Sequence, residues 1–186
     1  MQENNKSLGF SVSKQEMPNS MLTFWETTQE FIRNNPEMVI PYNMTILPWM
    51  MDENNEFNFC QLWSNFQIVD LAFLRSIEFQ TYFKHLDRAG GFFYERWSDS
   101  TVTTVAAAMF LEKQAIHFFN QVGYSHGEVS HCPLNWEHLQ QCSCDVADSY
   151  DFHSESCTIN LLAHIDPQAL DSMAEFAESY MVSEEN

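Results

Sequence analysis

The stretch from Phe59 to Leu74, FCQLWSNFQIVDLAFL, is almost continuously aromatic or aliphatic. A run of this kind is typical of a strand that is buried on both faces. Ser64, Asn65 and Gln67 interrupt it with polar groups, and each such group needs a hydrogen-bonding partner if it is buried. We therefore predict a buried strand that carries a structural or functional polar insert.

Helical patterns lie beyond this strand. Ser76 is a candidate N-cap for a helix whose apolar side chains recur at helical spacing, and Gly90 and Gly91 are suited to end it. Glycine permits both a positive φ and the close approach of neighbouring groups. Further elements are expected as helices at about residues 20–34 and 100–113 and as a short strand at about 116–119. The alternation of strands and helices predicts an α/β fold.

Cysteines are concentrated in a polar region from Ser125 to His164, which is predicted to be mostly loop. Such a region needs cross-links to stay ordered, and disulfides are favoured over zinc because no C-x2-C pair occurs. The disulfide candidates are Cys132, Cys142, Cys144 and Cys157. Their spacing leaves the pairing open. Cys60, in an apolar setting far from this cluster, is expected to be the unpaired cysteine.

The charge of the chain excludes one class of partner. With 8 basic and 26 acidic residues, the formal net charge is −18, so a nucleic-acid backbone would be repelled. A nucleotide diphosphate would also be repelled unless a divalent cation or a few well-placed donors neutralised it. Because of this repulsion, a phosphate-handling function implies a metal.

No apolar run reaches the roughly 18 residues of a membrane span.

Three segments combine polar groups with aromatic rings, at residues 62–68, 90–99 and 123–126. The second contains Glu95, Arg96 and Asp99 beside Tyr94 and Trp97. Sugar recognition needs such a combination because a pyranose has one apolar face and a rim of hydroxyls. The alternative is an internal pair between the arginine and one of the two acids that only holds the turn. His126, in the third segment, is either a metal ligand or a solvated loop histidine.

Six blocks follow one another along the chain: Leu8-Gly9-Phe10, Thr23-Phe24-Trp25-Glu26-Thr27, Phe59-Cys60 with Leu62-Trp63-Ser64-Asn65-Phe66, Gly90 to Asp99, Gly123-Tyr124-Ser125-His126 and His131-Cys132-Pro133-Leu134. In their order and spacing they resemble the fungal Golgi α-1,2-mannosyltransferases of the yeast type. The resemblance covers about residues 1–157. It implies the C-terminal half of a nucleotide-sugar glycosyltransferase fold, with a mixed sheet, flanking helices and a Cys-rich loop region.

The same resemblance implies the chemistry of the family. Such enzymes are type II membrane proteins of the Golgi lumen that use Mn²⁺ and transfer mannose from GDP-mannose, with retention of configuration, to mannosylated glycoprotein acceptors. His126 matches the family's metal-binding histidine, and Asp99 matches a carboxylate of the sugar pocket. Gln67 stands at the position of a glutamate proposed as the catalytic nucleophile. The implied substrate-binding residues are Trp63, Asn65, Tyr94, Glu95, Arg96, Trp97 and Asp99.

Two residues depart from the family pattern, so the roles of the family's residues at these positions do not apply to them directly. An amide at Gln67 attacks an anomeric carbon poorly, and Ser125 replaces a histidine of its block. The chain is expected to be a C-terminal catalytic part at residues 1–165 and an acidic helix at 166–186, which begins at Asp166-Pro167. The membrane anchor and the acidic metal motif would lie upstream, so we expect little transfer by this chain alone. The alternative function is a lumenal carbohydrate-binding paralogue that does not turn over.

Overall fold

A computed structural model describes Met1 and residues 4–184 of the chain. In that part the strands are β1 (Leu8–Phe10), β2 (Ser13–Gln15), β3 (Cys60–Leu62), β4 (Gln67–Val69), β5 (Ile116–Phe118), β6 (Tyr124–His126) and β7 (Val129–His131). The α-helices are α1 (Phe24–Asn34), α2 (Leu71–Leu74), α3 (Ile77–Ala89), α4 (Gly91–Tyr94), α5 (Asp99–Phe110), α6 (Trp136–Leu139), α7 (Thr158–Ile165) and α8 (Pro167–Glu184). None of these helices is both long and apolar enough to cross a membrane.

The strands form one small mixed sheet and two antiparallel pairs. In the three-stranded sheet, β1 is the central strand; it pairs antiparallel with β4 and parallel with β5. Separately, β2 pairs with β3, and β6 pairs with β7 as a hairpin. The α/β class and the mixed sheet with flanking helices agree with the expectation from sequence.

The prediction of one continuous strand from Phe59 to Leu74 is wrong. This stretch forms β3, a turn of 3-10 helix at Ser64–Phe66, then β4 and finally α2. Asp70 ends the strand region because its side chain accepts a hydrogen bond from the N–H of Ala72 and so caps α2. The apolar run therefore supplies two different sheets; of the polar insert, Ser64 and Asn65 form the turn between them and Gln67 begins β4.

Helix α5 is the centre of the core and lies against β3. Nine of its twelve residues are buried, so it has no solvated face of any width. The Thr104 hydroxyl accepts a hydrogen bond from the N–H of Leu62 at 2.8 Å. Burial on all sides fixes the start of this helix, which carries Asp99, relative to β3.

The predicted helix between Ser76 and Gly90 is confirmed. The Ser76 hydroxyl accepts a hydrogen bond from the N–H of Phe79, and Gly90 ends the helix in the left-handed region at φ 80°. Gly91 has the second role expected of glycine, because a Cβ there would overlap the indole of Trp97. The two glycines thus allow the chain to turn and Trp97 to pack over the turn.

The predictions that Cys60 is unpaired and that Cys142 forms a disulfide are wrong. Disulfides join Cys60 to Cys157 and Cys132 to Cys144, whereas Cys142 is a free thiol. Cys60 is in β3, which pairs with β2, and the N–H of Cys157 donates to the carbonyl of Ser13 in β2. Strand pairing therefore brings together two cysteines that are 97 residues apart, a proximity that spacing alone does not reveal.

Two helices follow the second disulfide-bonded region. Helix α7 was predicted as loop, and that prediction is wrong; Leu161 and Leu162 are fully buried and hold it against the core. Helix α8 begins as predicted, with the Asp166 carboxylate accepting a hydrogen bond from the N–H of Ala169. Its Phe176 ring packs against Trp136 at 5.0 Å between centroids, so the acidic helix docks on the Cys-rich region.

Candidate functional site

The indole of Trp63 is the centre of an aromatic cluster. Trp63 directly follows β3, and the hairpin strand β6 places Tyr124 and His126 edge-on to its ring, at 6.3 and 5.6 Å between centroids. Phe66 extends the cluster because its ring lies 6.0 Å from that of Tyr124. Fold contacts thus bring together two predicted site residues, Trp63 and His126, that are far apart in the sequence.

The turn between β3 and β4 carries two more predicted residues. The Ser64 N–H donates to the Ser100 hydroxyl at 3.0 Å, and that hydroxyl donates to the Ser64 hydroxyl at 2.7 Å. Asn65 is exposed at the tip of the turn, and Gln67 begins β4 with a half-buried side chain. Within the described part of the chain, the Gln67 amide has only a long contact, 3.5 Å, to the carbonyl of Leu62. Its polar atoms are therefore available for a ligand near Trp63.

Asp99 lies next to this turn but faces a different depression. As the first residue of α5 it precedes Ser100, the residue that holds Ser64. Its side chain lines an aromatic groove of about 520 Å³ whose walls include Phe83, Phe92 and Trp97. Neither Gln67 nor His126 lines that groove. The predicted residues thus form two neighbouring groups that are joined through Ser100.

Glu95 forms hydrogen bonds within the protein rather than the ion pair with Arg96 that the sequence offered as an alternative. Its carboxylate accepts hydrogen bonds from the N–H of Thr23 at 3.0 Å, the hydroxyl of Thr23 at 2.6 Å and the indole N–H of Trp97 at 2.9 Å. In the part of the chain that the structure describes, it forms no ion pair with Arg96, which is exposed. Tyr94 is also exposed, at 88%. Partial burial raises the pKa of Glu95, but the hydrogen bonds outweigh it, and the net pKa is lowered.

Glu95 should stabilise the protein only while it is ionised. Because its folded pKa is lowered, its contribution is present above the unfolded pKa and is lost as the pH falls through the folded value. We expect Glu95→Gln to lower the free energy of unfolding by about 1–2 kcal/mol at pH 7, as for loss of a helix cap. The difference from the unmodified protein should shrink as the pH falls through the lowered folded pKa of Glu95. Urea denaturation at several pH values measures it.

The control for this experiment is Glu175→Gln, at an exposed position on α8. It should change the free energy of unfolding by less than about 0.5 kcal/mol at any pH. A Glu95→Gln effect that is the same at pH 3 and pH 7 would contradict the role assigned to the ionised carboxylate.

A buried pair that sequence reasoning missed supports the hairpin of His126. His131 in β7 contacts Asp151 at 2.6 Å through Nδ1, and the hydroxyl of Ser149 donates to the same carboxylate oxygen at 2.9 Å. Its Nε2 lies 3.2 Å from the carbonyl oxygen of Asn120. Both ring nitrogens therefore contact oxygen atoms, and the ring is fixed between Asp151 and Asn120. His131 was visible in the sequence as part of a family block, whereas nothing pointed to Asp151.

The chain matches a known protein family over most of its length. Residues 1–166 match the family described as glycolipid 2-alpha-mannosyltransferase. The chain belongs to this family. The resemblance noted in the sequence is confirmed, and α8 lies beyond the matched residues.

Relatives and solved structures agree with this membership. The chain is 43% identical over 161 residues to glycolipid 2-alpha-mannosyltransferase 1 of Candida albicans, a match that covers 85% of this chain and 37% of the relative. It is 41% identical to the glycolipid 2-alpha-mannosyltransferase of Saccharomyces cerevisiae, over 84% of this chain and 36% of that protein. This family member thus spans little more than a third of the length of these relatives.

Two solved structures of family members have the same fold. The mannosyltransferase Ktr4p from S. cerevisiae in complex with GDP superposes with a TM-score of 0.82 at 28% identity, covering 92% of this chain and 47% of Ktr4p. The Mn/GDP form of core-mannan synthase A from Aspergillus fumigatus has a TM-score of 0.78 at 32% identity, covering 89% and 46%. The fold predicted from sequence, part of a mannosyltransferase, is confirmed.

The described residues of this family member do not form a complete metal site. Nowhere in Met1 and residues 4–184 do three His, Cys, Asp or Glu side chains converge as metal ligands would. His126 is exposed on the hairpin and can offer one imidazole. A divalent cation would therefore need further ligands in addition to the groups described here.

Proposed function

We propose that the protein takes part in transferring mannose from GDP-mannose to mannosylated glycoprotein acceptors, with retention of anomeric configuration. Membership of the glycolipid 2-alpha-mannosyltransferase family is the observation that carries this proposal. The GDP complex of Ktr4p, a relative with the same fold, supports a nucleotide-sugar donor. Residues 1–165 would be a C-terminal catalytic part and residues 166–186 an acidic helix. We place the reaction in the Golgi lumen, with the parent protein anchored in the membrane.

Individual residues receive the following roles in this proposal. His126 contributes one ligand to a Mn²⁺ ion, which is supported by its place on the hairpin beside Trp63 and by the Mn/GDP form of a relative. The side chains proposed to contact sugar are Trp63, Asn65, Trp97 and Asp99, with exposed Tyr94 and Arg96 at the rim. Glu95 acts indirectly, because its carboxylate holds Trp97 in place.

Gln67 decides how the transfer could proceed. An amide carries no negative charge, so a covalent intermediate on this side chain is disfavoured. Retention by attack on the same face needs no nucleophilic carboxylate. The acceptor oxygen forms its bond to the anomeric carbon while the bond to the diphosphate oxygen breaks on that face, and the hydroxyl proton passes to the diphosphate. Gln67 would orient a hydroxyl during this step.

Gln67 also favours a second candidate function. A family member that lacks the carboxylate could bind mannosides or GDP-mannose in the lumen without turnover. Aromatic rings beside polar groups suit this role equally well, since they recognise a sugar whether or not it reacts.

A chimera tests both candidates. Residues 1–166 of this chain would replace the matching residues of the Candida albicans relative, and transfer from GDP-mannose to methyl α-mannoside would be measured with Mn²⁺. We expect turnover, and we expect Gln67→Glu to change kcat by less than about tenfold, since same-face attack needs no carboxylate. Gln140→Glu, at an exposed position, is the matched control and should change nothing.

The outcomes separate the candidates. A gain of about 100-fold or more on Gln67→Glu, equivalent to about 2.7 kcal/mol, would mean that a carboxylate is needed and would favour the binding function. Absence of turnover from a folded chimera that still binds GDP would point the same way. A folded chimera that binds neither GDP nor mannosides would contradict both functions.

A further inference from the structure

Lys14 lies on the aromatic cluster of the candidate site, although no sequence motif singled it out. It is the central residue of β2 and pairs with Gln61 of β3, two residues before Trp63. Its ammonium nitrogen is 5.2 Å from the centroid of the Trp63 ring. His126 packs on the same ring. The indole therefore holds a cation and an imidazole together, and a cation over an aromatic face is attracted to it.

Two acids flank Lys14, although residues 8–15, 60–69 and 122–127 include neither Asp nor Glu. Glu16 is two residues beyond Lys14, and its carboxylate accepts hydrogen bonds from the side chain of Gln61 and the N–H of Met17. Glu155 precedes Ser156, which forms a β-bridge with Lys14. At position 67, where the family resemblance implies a glutamate, this chain has an amide. Among the described residues neither carboxylate forms an ion pair with Lys14, so its ammonium remains a positive charge that can attract an anion to a strongly acidic protein.

The donors of Lys14 are not used inside the protein. Among Met1 and residues 4–184, its ammonium forms neither a hydrogen bond nor an ion pair, and the side chain is half-buried against Trp63. Lys6 offers a contrast, because its ammonium donates to the carbonyls of Gln114 and Ile116. The Lys14 ammonium thus lies over the Trp63 ring with its N–H donors available to a ligand, whereas the Lys6 ammonium is hydrogen-bonded within the fold.

We infer that Lys14 is a substrate-binding residue that donates to a phosphate oxygen of a ligand seated against Trp63. An ammonium is a compact point charge that suits phosphate, and a partly desolvated site strengthens the contact. This inference rests on the proposed function for the choice of ligand, since a nucleotide sugar carries a diphosphate. A phosphate on a mannosyl acceptor offers the same chemistry, and the test separates the two sources.

Calorimetric titration of the 186-residue chain tests the inference. The probes are GDP with Mn²⁺, mannose 6-phosphate, and mannose as the uncharged reference. We expect Lys14→Met to weaken binding of a phosphate-bearing probe about tenfold, which is the low end for a hydrogen bond from a charged group. Lys14→Arg should keep binding within about threefold. Lys84→Met makes the same charge change at an exposed position on α3 and should stay within about twofold.

Each result has a defined meaning, provided that unchanged thermal unfolding shows every variant to be folded. A loss confined to GDP supports Lys14 as a diphosphate contact, and a loss confined to mannose 6-phosphate assigns it to an acceptor phosphate. If the unmodified chain binds GDP and Lys14→Met binds it equally well, the inference about Lys14 is overturned while the proposed function stands. Binding of neither phosphate probe by the unmodified chain overturns the inference, and the chimera then tests the function separately.

Discussion

Replacing Asp151 with asparagine should lower the free energy of unfolding by about 2–3 kcal/mol, because its carboxylate accepts buried hydrogen bonds from His131 and Ser149. His131 and Asp151 are 0% and 2% exposed at their side chains, so water cannot replace the lost partner. The His131 ring would be left with a buried donor facing a neutral amide. Urea denaturation followed by circular dichroism at pH 6 measures the loss.

The neighbouring Asp148 provides the matched control for this variant. It is exposed three residues earlier in the same segment, so Asp148→Asn makes the same chemical change in water. We expect an effect below about 0.5 kcal/mol. A loss below about 1 kcal/mol for Asp151→Asn would show that the buried pair does not hold the hairpin.

Removing the disulfide between Cys60 and Cys157 should cost about 4 kcal/mol of stability, since it closes a loop of 97 residues in the unfolded chain. Cys132 and Cys144 are only 12 residues apart in the sequence, so removal of their disulfide should cost less stability, about 3 kcal/mol. The two double serine variants can be compared by urea denaturation without reductant. Equal losses, or a larger loss for the short loop, would contradict this ranking.

Cys142→Ser is the control for the cysteine variants, because Cys142 is the free thiol. It should leave stability nearly unchanged and should remove the one thiol that alkylation of the unreduced chain detects. Peptide mapping that finds Cys142 in a disulfide with Cys132 or Cys144 would overturn the pairing on which the prediction is built.

The sequence was most informative where the signal is local. Ser76 and Gly90 bound a helix through hydrogen bonds and a backbone conformation that depend on their immediate neighbours. Asp166 and Pro167 start α8 for the same reason. The strand predicted at Phe59–Leu74 failed because an apolar run indicates burial but does not state where the chain turns, and here Ser64 is held by Ser100 of a distant helix.

The candidate site could be predicted only in part. The family blocks pointed to Trp63, Gln67 and His126, and the hairpin does bring His126 against Trp63. The role of Glu95 was not accessible, because its partner Thr23 is 72 residues away. Lys14 gave no signal at all, since a single lysine in a polar stretch is ordinary until the strand pairing places it on an indole.

By itself, the sequence determined the α/β class, the family, the helix boundaries set by caps and glycines, and the acidity that disfavours nucleic acid. Only the tertiary structure decided which cysteines pair, which carboxylates are buried, and which cation lies over the Trp63 ring. The physical reason is how far apart in the sequence the interacting groups lie. A cap or a turn depends on atoms a few residues away, whereas Cys60 with Cys157 and Lys14 with Trp63 meet only after the register of β2 against β3 is set.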